Sequence, residues 1–171
     1  INILCQPGNL SMALNPLTQT QSRLWGLRDR GLNLSQIGRM LGISRQSVSK
    51  TLMQADRAVK QGLMDAARSY KISLYRINPE KGIASGFSKA LNSPVLVTYS
   101  PEHGVNVWYK HAGLCKGCDQ EAECRETILA EAKRLGVPTQ DIVEPGGDAE
   151  SCPPAKLSER LFEIVFPKGM D

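Results

Sequence analysis

The stretch Asn33–Leu52, NLSQIGRMLGISRQSVSKTL, decides how the front of this chain folds. Asn33 followed by Gln36 is a capping box, and Ile37, Met40 and Leu41 then give a short helix its buried face. Gly42 falls where a turn needs positive φ, and Gly38 is small where two helices cross closely. Ile43 is expected to pack beneath the turn. Ser44 caps a following helix whose inward residues are Val48 and Leu52. Upstream, Thr18 with Gln21 starts another helix, with Leu24, Trp25 and Leu27 on its apolar side and Gly31 as its stop. The local chemistry thus predicts three capped helices between Leu17 and Leu52.

Two helices joined in this way form a DNA-binding helix-turn-helix pattern, in which the second enters the major groove. Its outward residues are Arg45, Gln46, Ser47, Ser49 and Lys50. Arg and Gln can read base edges in bidentate fashion, whereas Ser and Lys more often hold phosphates. The expected base readers are Arg45, Gln46 and Ser49, with Lys50, Arg39 and Ser47 on the backbone. The run LTQTQSRLWGLRDRGLNLSQIGRMLGISRQSVSKTL resembles the helix-turn-helix of sigma-factor fourth regions, LuxR-type regulators and archaeal Tfx-type DNA-binding proteins. That resemblance covers residues 17–57 and implies sequence-specific DNA binding; it carries over no ligand or target gene.

Charge follows the same division. Residues 1–80 hold 11 Lys and Arg against 4 Asp and Glu, a net of +7, while residues 81–171 hold 10 against 13, a net of −3. A basic front suits a nucleic-acid partner. Apolar content of 41% and charged content of 22% are those of a soluble globular protein. No run approaches a membrane span, the best being Val95-Leu96-Val97. Residues 1–16 read as leader or disordered sequence without a secretory signal, so a cytoplasmic location is expected.

Beyond Leu52 the apolar residues Ala55, Val59, Leu63, Ala66, Tyr70, Leu74 and Ile77 recur every three or four positions. A helix from Arg45 to Ile77 is the first reading, and its length suggests packing against a second copy, hence a homodimer on an inverted-repeat operator. Gly62 is a possible break, and Lys71–Asn78 also alternates like a strand. Residues 58–79 are therefore assigned to a linking or dimerisation helix. Pro94–Tyr99 and Val105–Lys110 read as a β-hairpin with Trp108 and Tyr99 as core or cover residues and His103 as an exposed turn residue. Glu80–Ser93 reads as loop plus short helix.

The chain then supplies Cys115, Cys118, Cys124 and Cys152, a C-x2-C-x5-C-x27-C pattern whose last cysteine is followed by Pro153. In a chain without a disulfide framework such clustering points to metal binding, with Cys5 left as a thiol outside the cluster. Three close ligands and one remote Cys-Pro fit an iron–sulfur cubane, which needs four thiolates on separate irons. Structural zinc, which prefers paired knuckles, is the alternative. The spacing also resembles that of [4Fe-4S] sensors such as the fumarate–nitrate reduction regulator and the WhiB-like proteins. His111 is a hydrogen-bonding neighbour or a substitute ligand. Helices are expected from near Cys124 to Leu135, packing through Ile128, Leu129, Ala132 and Leu135, and from Ala155 to Val165.

The expected fold is mainly α within an α+β class. A helix-turn-helix over residues 17–57 precedes the linking helix, and a small α+β unit over residues 80–171 carries the cluster and the hairpin. The expected function is a non-enzymatic transcriptional regulator that senses redox state or an oxidant through a [4Fe-4S] cluster. RNA polymerase is a further possible partner. Rival readings are a regulator with a structural zinc, and an iron–sulfur enzyme docking on nucleic acid, although no radical-type C-x3-C-x2-C motif or phosphate-binding glycine loop is present.

Overall fold

A computed structural model of the chain describes residues 16–109, 115, 117–119, 121–143 and 146–165. The expectations for residues 1–15, with Cys5, and for His111 lie outside these. Helices α1 (Gln19–Asp29), α2 (Leu34–Leu41) and α3 (Arg45–Ser69) come first, then strands β1 (Ile72–Asn78), β2 (Ile83–Ser88), β3 (Ser93–Ser100) and β4 (Gly104–Tyr109). Helices α4 (Glu121–Arg134), α5 (Thr139–Ile142) and α6 (Pro154–Val165) follow. The protein is therefore α+β, with one antiparallel sheet in the order β1-β2-β3-β4. Among the described residues no helix is long and apolar enough to cross a membrane.

The three helix starts form as their sequences dictate. Thr18 and Asn33 both make reciprocal capping boxes, and the Ser44 hydroxyl accepts from the Ser47 backbone N–H. Gly42 has φ +66° at the end of α2. A methyl group added to Gly38 would lie 2.7 Å from the Ile43 carbonyl oxygen, so the turn closes directly over this glycine. Two buried-face expectations need correction: Met40 is 60% exposed and Ile43 is 40% exposed. Over so short a helix, Ile37 and Gly38 occupy the inward positions. Met40 is turned toward solvent.

α3 ends earlier than its periodicity suggests. Tyr70 closes the helix and Lys71 takes a left-handed φ of 54°, after which the chain reverses into β1. Leu74 and Ile77 pack onto the first core from a strand rather than from a helix. Gly62 does not break α3; it sits where Pro16 approaches to 3.1 Å of the position a Cβ would take. The apolar stripe Leu52, Ala55, Val59, Leu63 and Ala66 is buried with Trp25, Ile37, Val95, Val97 and Tyr99 inside the same chain. Helix length therefore no longer argues for a second copy, because the stripe already has its cover.

Glu80–Ser93 is not loop plus helix but contains β2, which pairs with β1 and β3. The β3–β4 hairpin forms in the register Leu96↔Trp108 and Thr98↔Asn106. The edge strand β1 carries a bulge between Leu74 and Arg76, leaving Tyr75 69% exposed. His103 is half-buried rather than exposed, its backbone N–H donating to the Ser100 hydroxyl.

The sheet is the middle of three layers. One face, through Ala84, Val95, Val97, Tyr99 and Val105, completes the core of α1–α3. On the other, Leu96, Thr98 and Trp108 meet Ile128, Leu161 and Phe162 of α4 and α6. A second core, built on Ile128, Ala132, Ile142, Cys152, Leu157 and Leu161, lies behind that contact. The expected boundaries at 57/58 and 79/80 fall within α3 and between two strands of one sheet.

Candidate nucleic-acid interface and candidate metal centre

α3 exposes Arg45, Gln46, Ser47 and Lys50 to solvent, with Ser49 half-buried; Arg39 is exposed on α2. Val48, one residue before Ser49, is completely buried and fixes which side of the helix faces out. Ser47 is already engaged, since its hydroxyl shares a 3.0 Å hydrogen bond with that of Ser44. It serves the helix start, which leaves Arg45, Gln46 and Lys50 as the long side chains able to reach a ligand. Further along α3, Arg57 and Lys60 are also exposed. The sequence reading passed over them because it ended the recognition surface at Lys50. Their signal was available in the run of charged residues between the buried Ala55, Val59 and Leu63.

α3 is braced against α1 by a bidentate ion pair: the Arg28 guanidinium donates to both carboxylate oxygens of Asp56, at 2.8 and 2.5 Å. Such a fork fixes orientation as well as distance. Trp25 lies beside it, fully buried, edge-on to Tyr99 at 5.4 Å between ring centroids. Burial there pushes the Tyr99 hydroxyl up to about 12, despite its hydrogen bond with Ser22.

Backbone hydrogen bonds and Arg125 relate the cysteine-bearing segments to the N-terminal end of α4. The Cys118 backbone N–H donates to the Cys115 carbonyl at 3.0 Å, and the Glu121 N–H donates to the Cys118 carbonyl at 3.0 Å. The first two cysteines therefore turn straight into the helix, with Gly117 between them at φ +82°. Cys124 lies in the first turns of α4. Cys152 returns through Arg125, whose guanidinium donates to the carbonyls of Ala149 (2.7 Å) and Cys152 and pairs with Glu121 at 2.7 Å. Asp148 shapes the approach by accepting from the backbone N–H groups of Glu150 and Ser151 at 2.6 and 2.8 Å. Those bonds hold its carboxyl below the ordinary carboxylate range.

Arg125 was not foreseen as a site residue. Its one sequence signal is its place next to Cys124 and four residues after Glu121, which suits an ion pair along a helix. Cys115, Cys118 and Cys124 are partly exposed and Cys152 is buried; all four are thiols, not disulfides. Among the described residues no three Cys, His, Asp or Glu side chains stand close enough together to hold a metal ion.

No protein-family model, curated protein or solved structure matches this chain.

Proposed function

We propose that the protein is a sequence-specific DNA-binding transcriptional regulator whose activity depends on a metal centre held by Cys115, Cys118, Cys124 and Cys152. The observation that carries the first part is the solvent-facing row Arg45, Gln46 and Lys50 on a helix whose opposite side is anchored by Val48 and Leu52. A bidentate contact from Arg or Gln to a base edge discriminates by about 1–3 kcal/mol, so two such residues make a usable code.

The second part is supported by Arg125. A guanidinium spent on the carbonyl of Cys152 returns that remote cysteine to the helix that bears Cys124. Closing the sulfurs onto a common centre would be coupled to metal binding, which releases the thiol protons and contributes its binding free energy to folding. The donor set of four thiols fits a [4Fe-4S] cluster and also fits zinc. A [4Fe-4S] cluster would supply reversible electron transfer and sensitivity to oxidants, whereas zinc would supply stability alone. The favoured reading is the cluster, because the second knuckle typical of structural zinc is absent from the sequence.

Anaerobic purification with visible absorption and analysis of iron, sulfide and zinc separates these. Brown protein with iron and sulfide in equal amounts is expected; colourless protein with one zinc would remove the redox role. DNA binding is read by enriching duplexes from a randomised pool. Arg45→Ala and Gln46→Ala should each relax specificity by about 1–3 kcal/mol. Enrichment of the same sequences by both variants would show that α3 is not the reading element. In this proposal the protein binds an inverted repeat as a homodimer, meeting elsewhere than along the covered stripe of α3. Sedimentation on duplexes with one and two half-sites tests that, and a single copy on both would refute it.

A further inference from the structure

α4 starts at the thiols and ends against α1. At that end Arg134, only 10% exposed, makes contacts to three parts of the molecule. Its Nε and Nη2 donate to Glu131 Oε2 at 3.0 and 2.8 Å, and its Nη1 donates to the Lys81 carbonyl at 2.8 Å. The same Nη1 reaches Asp29 Oδ1, in the last turn of α1, at 3.3 Å. The guanidinium also lies 5.8 Å from the centre of the Trp25 ring, and Arg28 lies 5.7 Å from it. Arg28 in turn grips Asp56 on α3. A continuous set of charged contacts thus runs from α4 through α1 to the helix that bears Arg45 and Gln46.

Two details suit this junction to switching rather than to packing alone. A buried guanidinium and carboxylate are costly to desolvate, and apolar residues of the same size would join two layers at least as stably. The partners are also unequally matched. Glu131, 2% exposed on its side chain, leaves Oε1 without a hydrogen-bond partner and borders a cavity of about 10 Å³, roughly one water in size. Arg134 is therefore shared between Glu131 on its own helix and Asp29 on α1. Its charge can be met wholly by Glu131 when α4 withdraws, or by both when α4 is docked.

We infer that Arg134 couples the thiol centre to DNA binding, by docking α4 on Asp29 and Trp25 in one state of the centre and releasing them in the other. This rests on the functional reading above. Binding of a metal by the four thiols would act on the first turns of α4, which bear Cys124, and Arg134 lies in the last turn of the same fourteen-residue helix. Coupling between two sites in proteins of this kind commonly amounts to 5–150-fold in affinity, and a value of order tenfold is expected.

The test uses the full chain and a duplex enriched from a randomised pool. Affinity is measured after reconstitution with iron and sulfide and again after stripping with a chelator, in the native protein, Asp29→Asn and Arg134→Lys. The native ratio should be of order tenfold. Asp29→Asn should bring it to within about twofold, by moving the affinity of one state onto that of the other, while metal content stays unchanged. Arg134→Lys, which keeps the charge without the fork, should retain part of the native ratio. In a Trp108→Phe background Trp25 is the one remaining tryptophan, so its emission should shift on adding Zn²⁺ alone and cease to do so with Asp29→Asn. A native ratio near one, or a ratio and an emission shift untouched by Asp29→Asn, would overturn the coupling while leaving metal and DNA binding intact. Protein that takes up no metal, or enriches no duplex, would instead remove the functional reading and this inference with it.

Discussion

In the front of the molecule Thr18, Asn33 and Ser44 each cap a helix, and those helices bury Trp25, Ile37, Val48 and Leu63 against one face of the sheet. In the back, α4 and α6 enclose a smaller core around Ile142 and Leu157, and the approach to α4 is shaped by Cys115, Gly117 and Cys118. The front is specified by local signals and apolar contact. The back leans on single polar residues, Arg125 at one end of α4 and Arg134 at the other.

That contrast is open to attack at several strengths. Trp25→Ala should cost most, about 3–5 kcal/mol, because it opens the first core and removes the ring shared by Arg28 and Arg134. Urea unfolding followed by circular dichroism would measure it, and a loss below 1 kcal/mol would deny Trp25 its central place. Leu157→Ala should cost about 2–5 kcal/mol but leave α3 protected, so hydrogen exchange should quicken in α4–α6 alone. Equal quickening in α3 would mean that the two cores are one cooperative unit.

Gly38→Ala should cost about 1–3 kcal/mol, since the added methyl meets a backbone carbonyl that cannot move aside. A neutral result would place the turn between α2 and α3 farther from α2 than described. The smallest effect is a change in pH dependence. Burial raises the Asp29 carboxyl above its ordinary value of 3.8, against the pull of Arg134. Its contribution is therefore intact below that value and is lost as pH rises through the raised one. Asp29→Asn should flatten the fall in urea midpoint as pH rises above the ordinary 3.8. An unaltered slope would show that Asp29 does not titrate in that window.

How much could be read in advance depended on how local the cause was. Asn33 with Gln36 and Ser44 with Val48 act across one helical turn, so the three helices and their caps were legible from residue types alone. The end of α3 was not, because Leu74 and Ile77 fit a three-to-four-residue period as well as an alternating one. Only the left-handed Lys71 separates the two, and nothing about a lysine announces it. β2 was missed for a related reason. Its residues Ile83–Ser88, IASGFS, mix small and large types and are largely buried on both faces, so they show no clear alternation. Of the candidate sites, the outward row of α3 followed from Val48, but Arg125 and Arg134 did not stand out. Each has one partner on its own helix, Glu121 or Glu131. The partners that tie them to the rest of the molecule, Ala149, Cys152, Asp29 and Lys81, are ones that no spacing in the sequence records.

The bulge at Tyr75 has a bearing on how the protein behaves when crowded. An open edge strand offers its backbone to any neighbouring chain, and a flat β1 would be an invitation to grow the sheet from molecule to molecule. One unpaired residue bends and twists that edge, and the interruption falls midway along a seven-residue strand. The strand that replaced the expected dimer helix thus offers a neighbouring chain an interrupted edge rather than a flat one.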